Sequence, residues 1–122
     1  MMDTFINVLL FGLVAYFLMT KFLPVKGVKQ ITAIQLKEAL IRKDVQFIDV
    51  RTPREFASNH IEKFKNVPLH EITSKANQLS KDKELIVICQ SGMRSNKATK
   101  RLKKLGFDRV SNVKGGIGAW YY

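Results

Sequence analysis

Leu85-Ile86-Val87-Ile88-Cys89-Gln90-Ser91-Gly92-Met93-Arg94-Ser95 is the stretch whose reading decides the fold. Four apolar residues, bounded by Lys83-Glu84 on one side and a polar turn on the other, read as a buried strand. The residues from Asn96 to Leu105 have helical spacing, so a strand, a glycine-containing loop and a helix meet at Cys89, the chain's single cysteine. That corner turns the loop N–H groups and the positive end of the following helix toward the sulfur. A helix N-terminus and a nearby cation, here Arg94, both favour a thiolate, which makes Cys89 a candidate nucleophile. A lone cysteine after such a strand is otherwise a small buried hydrophobe. The loop around it is the reason to read chemistry instead.

Upstream of this corner the composition is uneven. With 122 residues the chain accommodates one domain of ordinary size, and 46% hydrophobic content is normal for one. Phe5 to Met19, however, carries no charge. Extended to Leu23 it gives about 19 residues, roughly 28 Å of helix, close to the ~30 Å of a hydrocarbon core, and Pro24 is a natural stop. A cleaved signal would have a basic start and a small-residue cleavage site, whereas here Asp3 is the only charge before the run. A core helix would keep one polar face, and this segment is apolar all round. The expectation is a transmembrane anchor over residues 1–24, a soluble domain over residues 25–122, and bilayer contact through residues 5–23. Lys21, Lys26 and Lys29 on its C-terminal side place that domain in the cytoplasm, in a single-pass protein of the cell membrane with its N-terminus outside.

The formal net charge of +11 suits a domain held under an anionic leaflet. Nucleic acid is the usual alternative for a basic chain, but no stripe of alternating aromatic and basic residues and no known nucleic-acid module is present, so no nucleic-acid partner is expected. One cysteine excludes an intramolecular disulfide framework, in keeping with a reducing compartment.

In chain order, Val28 to Ile31 reads as a short strand. Thr32 with Gln35 has capping-box spacing and starts a helix through Leu36, Leu40 and Ile41. Val45 to Val50 reads as a central strand, and Thr52-Pro53-Arg54-Glu55 as a helix start with an N-cap threonine and proline at the first position. Glu71 to Leu79 predicts a further helix, Phe107 to Val113 a last strand, and Gly115 to Trp120 a flexible turn. Gly106 sits where a left-handed helix cap belongs. Strands alternating with helices specify an α/β class with a central, mainly parallel sheet flanked by helices. Ligands bind beyond the carboxyl ends of such strands, where Asp49 and Cys89 both fall.

The residues Asp49-Val50-Arg51, Glu55-Phe56, His60-Ile61, Asn66-Val67-Pro68, the loop Cys89-x-x-Gly92-x-Arg94-Ser95, Ala98, Leu102, Gly106-Phe107, Gly115-Gly116-Ile117 and Trp120 together resemble a rhodanese-like domain over Val28 to Trp120. Asn59 and Lys65 depart from the pattern, replacing a glycine and a small residue. The resemblance implies a sulfurtransferase of the thiosulfate type, in which Cys89 takes the outer sulfur of a small anionic donor as a persulfide. The persulfide then passes it to cyanide, a thiol or a sulfur-accepting protein. Cys89 and Arg94 are the catalytic candidates, Arg94 as anion anchor. Gln90, Ser91, Gly92, Met93 and Ser95 form the substrate cradle. No metal and no cofactor is implied, and with no second cysteine the acceptor comes from outside the chain.

Two rivals remain open at this point. Cysteine-dependent phosphatases and arsenate reductases use a wider loop, with five residues between cysteine and arginine where this chain has four; the smaller ring favours sulfur. The other rival is a non-catalytic rhodanese-like interaction module. Asp49 and Arg51 are expected to support the loop and Glu55 through hydrogen bonds and an ion pair. His60 is read as a structural donor, and His70 as a surface residue with no role. Lys97, Lys100, Arg101, Lys103 and Lys104, with no acid among them, are expected to steer anionic substrate or to contact acidic lipid. Trp120 is read as a core residue, with a membrane-interface anchor of Trp120-Tyr121-Tyr122 as the alternative.

Overall fold

The computed structural model describes residues 2–22 and 25–120. Leu23 and Pro24, where the apolar segment was expected to stop, lie outside the described residues, as do Met1, Tyr121 and Tyr122. The elements are helix α1 (Met2–Phe22), strand β1 (Lys29–Ile31), α2 (Ala33–Ala39), β2 (Val45–Asp49), α3 (Pro53–Ser58), β3 (Lys65–Asn66), α4 (Ile72–Lys75), β4 (Glu84–Ile88), α5 (Met93–Lys104) and β5 (Val110–Val113). Short 3-10 turns cover Leu69–Glu71, Ala76–Gln78 and Gly116–Ala119.

The strands form one sheet in the order β1-β5-β4-β2-β3, with every neighbouring pair parallel. Strand β4 lies at its centre, and Leu85, Ile86, Val87 and Ile88 are buried because both faces of the sheet are covered. Alternation along the strands sorts the side chains into two cores. On one face Val50, Leu85 and Val87 pack with Ile72 of α4, Ala98 and Leu102 of α5, and Phe107. On the other, Phe47, Ile86 and Ile88 pack with Leu36 and Ala39 of α2, and with Ile61, Phe64 and Ile117; Phe56 and Trp120 lean on this second core. Burying one such aliphatic side chain stabilises by about 1.5–3 kcal/mol.

Helix starts follow the local chemistry. Both threonine capping boxes form: Thr32 with Gln35, and Thr52 with Glu55 behind Pro53. Gly106 closes α5 at φ +99°.

Several elements differ from the sequence expectation; strand β5 begins at Val110 rather than Phe107, and α2 ends at Ala39, short of Leu40 and Ile41. Helix α5 begins at Met93 rather than Asn96, because Gly92 adopts φ +107° and turns the chain straight into the helix. The expected helix from Glu71 to Leu79 divides into α4 flanked by 3-10 turns. Its polar residues favour local bonds, as in Ser74 Oγ donating to the Glu71 carbonyl, and the chain beyond is fixed where the Gln46 amide bonds Ser80 in both directions. Lys65–Asn66 is an edge strand of two residues, too short for periodicity to reveal.

Helix α1 is about 32 Å long by its 21 residues. It is long and apolar enough to cross a membrane over Met2–Thr20. None of that stretch is buried against the rest of the protein, which removes the core-helix reading.

Candidate active site

Parallel register builds the site edge. Asp49 ends β2 directly opposite Ile88, the last residue of β4, so the chain segments that follow, with Arg51 and with Cys89, leave the sheet side by side. The Val50 N–H donates to the Ile88 carbonyl and joins them.

Cys89 lies beneath its loop with 1% of its surface exposed. Its Sγ accepts the Gly92 N–H at 2.9 Å and sits 3.2 Å from Ser95 Oγ. Ser95 Oγ also donates to the Gly92 carbonyl at 3.1 Å. One hydroxyl hydrogen serves one acceptor at a time: it rests on the carbonyl when sulfur carries its own proton and turns to sulfur when sulfur is an anion. No side chain caps α5. The N–H groups of Met93, Arg94 and Ser95 have no helical partner by position. Gln90, Ser91 and Met93 form the exposed rim, while Gly92 and Ser95 are buried inside it.

Arg94 is committed to a partner. Its Nη1 donates to Glu55 Oε1 at 2.6 Å and its Nη2 to Oε2 at 2.9 Å, a bidentate pair about one-third exposed. Glu55 is aimed there by its own capping box, since Oε1 also accepts the Thr52 N–H at 3.1 Å. The Arg94 guanidinium beside it pulls the Glu55 carboxyl down to about 2. In turn Glu55 raises the pKa of Arg94. The pair leaves the Nε–H and one hydrogen on each Nη unused by Glu55.

Beneath the loop, Arg51 and Asp49 form an ion pair at 2.9 Å with 1% and 0% of the side chains exposed. Arg51 extends from it to the Asn59 carbonyl at 2.7 Å and to the Gln90 side chain at 3.4 Å, so the pair reaches the loop through its first residue after Cys89. Asn66 Nδ2 bonds the carbonyls of Asp49 and Arg51, each at 3.0 Å. Glu55 is held by Arg94 and Thr52, not by this pair. His60 lies outside the loop, stacked on Phe56 with Nδ1 against the Phe56 carbonyl at 2.8 Å.

Two features are not evident from sequence patterning. The Gly115 to Ala119 segment, expected as a flexible turn, clamps the loop instead. The Ile117 N–H donates to the Cys89 carbonyl at 2.9 Å and the Gly118 N–H to the Gln90 carbonyl at 3.0 Å. A Cβ on Gly116 would lie 2.2 Å from the Cys89 carbonyl oxygen, at φ +58°. The consecutive glycines were the available signal. The second feature is a pair of clefts that meet at Leu69 and Arg94. One, of about 450 Å³, is lined by Thr52, Pro68, His70 and Arg101; the other, of about 400 Å³, by Met93, Asn96, Lys97 and Lys100 with Phe17 and Thr20 of α1. Among the described residues no cluster of three or more metal-ligating side chains occurs.

The model of the rhodanese-like domain family matches residues 32–122. A putative sulfurtransferase of Bacillus subtilis, YtwF, is 39% identical over 94 residues, covering 76% of this chain and 90% of the relative. The thiosulfate sulfurtransferase GlpE of Shewanella oneidensis is 31% identical over 93 residues, covering 76% and 92%. The crystal structure of a rhodanese-like domain protein from Staphylococcus aureus superposes with a TM-score of 0.72 at 36% identity, over 77% of this chain and 92% of that one. Some relatives are longer: the chain spans 62% and 42% of two further Bacillus subtilis proteins.

Proposed function

This chain belongs to the rhodanese-like domain family, and from that premise we propose that it is a sulfurtransferase working through a persulfide on Cys89. The observation that carries the reading is the sulfur of Cys89 held beneath its loop at the start of α5, with the Gly92 N–H bonded to it at 2.9 Å and Ser95 Oγ 3.2 Å away. In the first half-reaction the Cys89 thiolate attacks the outer sulfur of thiosulfate. A new S–S bond forms, the bond between the two thiosulfate sulfurs breaks, and its electron pair leaves with sulfite. In the second, a thiolate or cyanide attacks the outer sulfur of the persulfide, and the Cys89 thiolate is regenerated.

The loop residues have separable roles in this scheme. Gly92 N–H, the Ser95 hydroxyl and the first-turn N–H groups of α5 stabilise the anionic sulfur in place of water. Arg94 and Arg101 make the cleft at Thr52 and Pro68 cationic, which favours an anionic donor. Arg94 faces that donor with the hydrogens Glu55 leaves unused. The near-complete covering of Cys89 favours a narrow terminal sulfur over a tetrahedral phosphate or arsenate. Asp49 and Arg51 support the loop.

The same proposal assigns residues 1–24 to a transmembrane anchor and residues 25–122 to the catalytic domain, on the cytoplasmic side of the cell membrane. The unburied apolar helix α1 and the lysines after it support this. A sulfite-release assay with thiosulfate tests the chemistry: wild type releases about one equivalent without acceptor, and Cys89→Ser releases none. Sulfite release by both, or no sulfur gained by wild type from any sulfane donor, overturns it. For topology, protease added outside intact cells is expected to spare the chain from Lys26 onward.

A further inference from the structure

Helix α5 carries Arg94, Lys97, Lys100, Arg101, Lys103 and Lys104 and no acidic residue. Arg94 is paired with Glu55, Arg101 donates to the Leu69 carbonyl and Lys103 to the Asp108 carbonyl. Lys97, Lys100 and Lys104 are exposed and take part in none of the ion pairs among the described residues. Their spacing of three and four residues sets them in one stripe, about 10 Å long. Met93, 39% exposed, continues the stripe toward the Cys89 loop.

Two further observations give the stripe a neighbour. The linker after α1 meets the end of a side chain from the last turn of α5, since a Cβ on Gly27 would lie 3.2 Å from Lys103 Cε. The end of α1, at Phe17 and Thr20, lines the same cleft as Lys97 and Lys100. Between Phe22 and Lys29 the chain has six residues, a reach of at most about 20 Å. A domain on so short a tether stays near the membrane, and α5 is the element beside the tether.

We infer that the lysine stripe of α5 docks on anionic lipid headgroups and holds the mouth of the Cys89 loop at the bilayer surface. The inference rests on the reading of α1 as a membrane span. Three cations spread along a line match a plane of headgroups better than a single small anion, which Arg94 and the loop already serve. The consequence for function is that sulfur is handed over at the membrane surface.

The test is lysine footprinting of the full chain in lipid nanodiscs with a water-soluble acylating reagent, read by mass spectrometry. With about one-third anionic lipid, Lys97, Lys100 and Lys104 are expected to acylate about fivefold more slowly than in purely zwitterionic discs, and about 0.5 M salt restores the faster rate. Lys37, on α2 across the sheet, is expected to be unchanged. Equal rates in the two discs, with the protein in the disc fraction, overturn the docking and leave the anchor standing. Equal protection in zwitterionic discs by millimolar inorganic phosphate assigns the stripe to a soluble anion and also overturns it. A chain that fails to enter the disc fraction refutes the anchor, and the docking with it.

Discussion

Arg94 and Glu55, 39 residues apart in sequence, meet in a bidentate pair at 2.6 and 2.9 Å that ties the first turn of α5 to the first turn of α3. The Cys89 loop is thereby fixed from outside, and the pair carries a pH signature. The Glu55 carboxyl lies near 2 in the folded protein against about 4.5 ordinarily. Being lowered, it contributes stability above the ordinary value and loses it as pH falls from about 5 toward 2. Allowing for one-third exposure, the contribution is about 1–2 kcal/mol. Denaturant unfolding across that range should show the loss in wild type, and Glu55→Gln should flatten it.

Arg94→Lys keeps the charge and discards the fork. The account expects sulfur transfer to fall by about 10- to 100-fold in kcat/KM, with Arg94→Ala lower still because Glu55 is then left unpaired beside the loop. Steady-state kinetics with thiosulfate and cyanide check this. Equal activity in Arg94→Lys and wild type would show that charge alone suffices.

Ser95→Ala removes the hydroxyl that lies 3.2 Å from Cys89 Sγ. The Gly92 carbonyl keeps its bond from the Asn96 N–H, so no buried acceptor is abandoned. Persulfide formation should slow by about tenfold, the value of one hydrogen bond to an anion, while unfolding changes little. Stopped-flow sulfite release and denaturant titration separate the two.

Gly116→Ala places a methyl 2.2 Å from the Cys89 carbonyl oxygen at positive φ. A loss of about 2–4 kcal/mol is expected, together with most of the activity. Gly118→Ala is the control, because its Cβ would lie 3.4 Å from the Gln90 carbonyl oxygen and needs only a slight shift. Thermal unfolding of both variants decides whether this segment clamps the loop.

Asp49→Ala leaves Arg51 charged, unpaired and 1% exposed. Breaking a buried pair in this way costs about 3–5 kcal/mol, and the loop loses its hold through Gln90. Denaturant midpoints should register the first effect and turnover the second.

Much of this was legible in the chain itself. The α/β order, the two threonine caps and the meeting of Asp49 with Cys89 at one sheet edge follow from local residue chemistry and the parallel rule. What was not legible depends on distant contacts. Glu55 already had a local role as capping residue, so nothing marked it as the partner of Arg94. Gly116 looked like slack in the chain, although its missing side chain makes room for the Cys89 carbonyl. The start of α5 moved by three residues because Gly92 supplied a conformation that helical periodicity does not encode.

The central claim concerns one sulfur atom. Intact and peptide mass spectrometry after a single exposure to thiosulfate should find a gain of about 32 Da on the peptide holding Cys89, removed by cyanide and absent in Cys89→Ser. A folded wild-type protein that gains no sulfur from thiosulfate or any other sulfane donor would contradict the account.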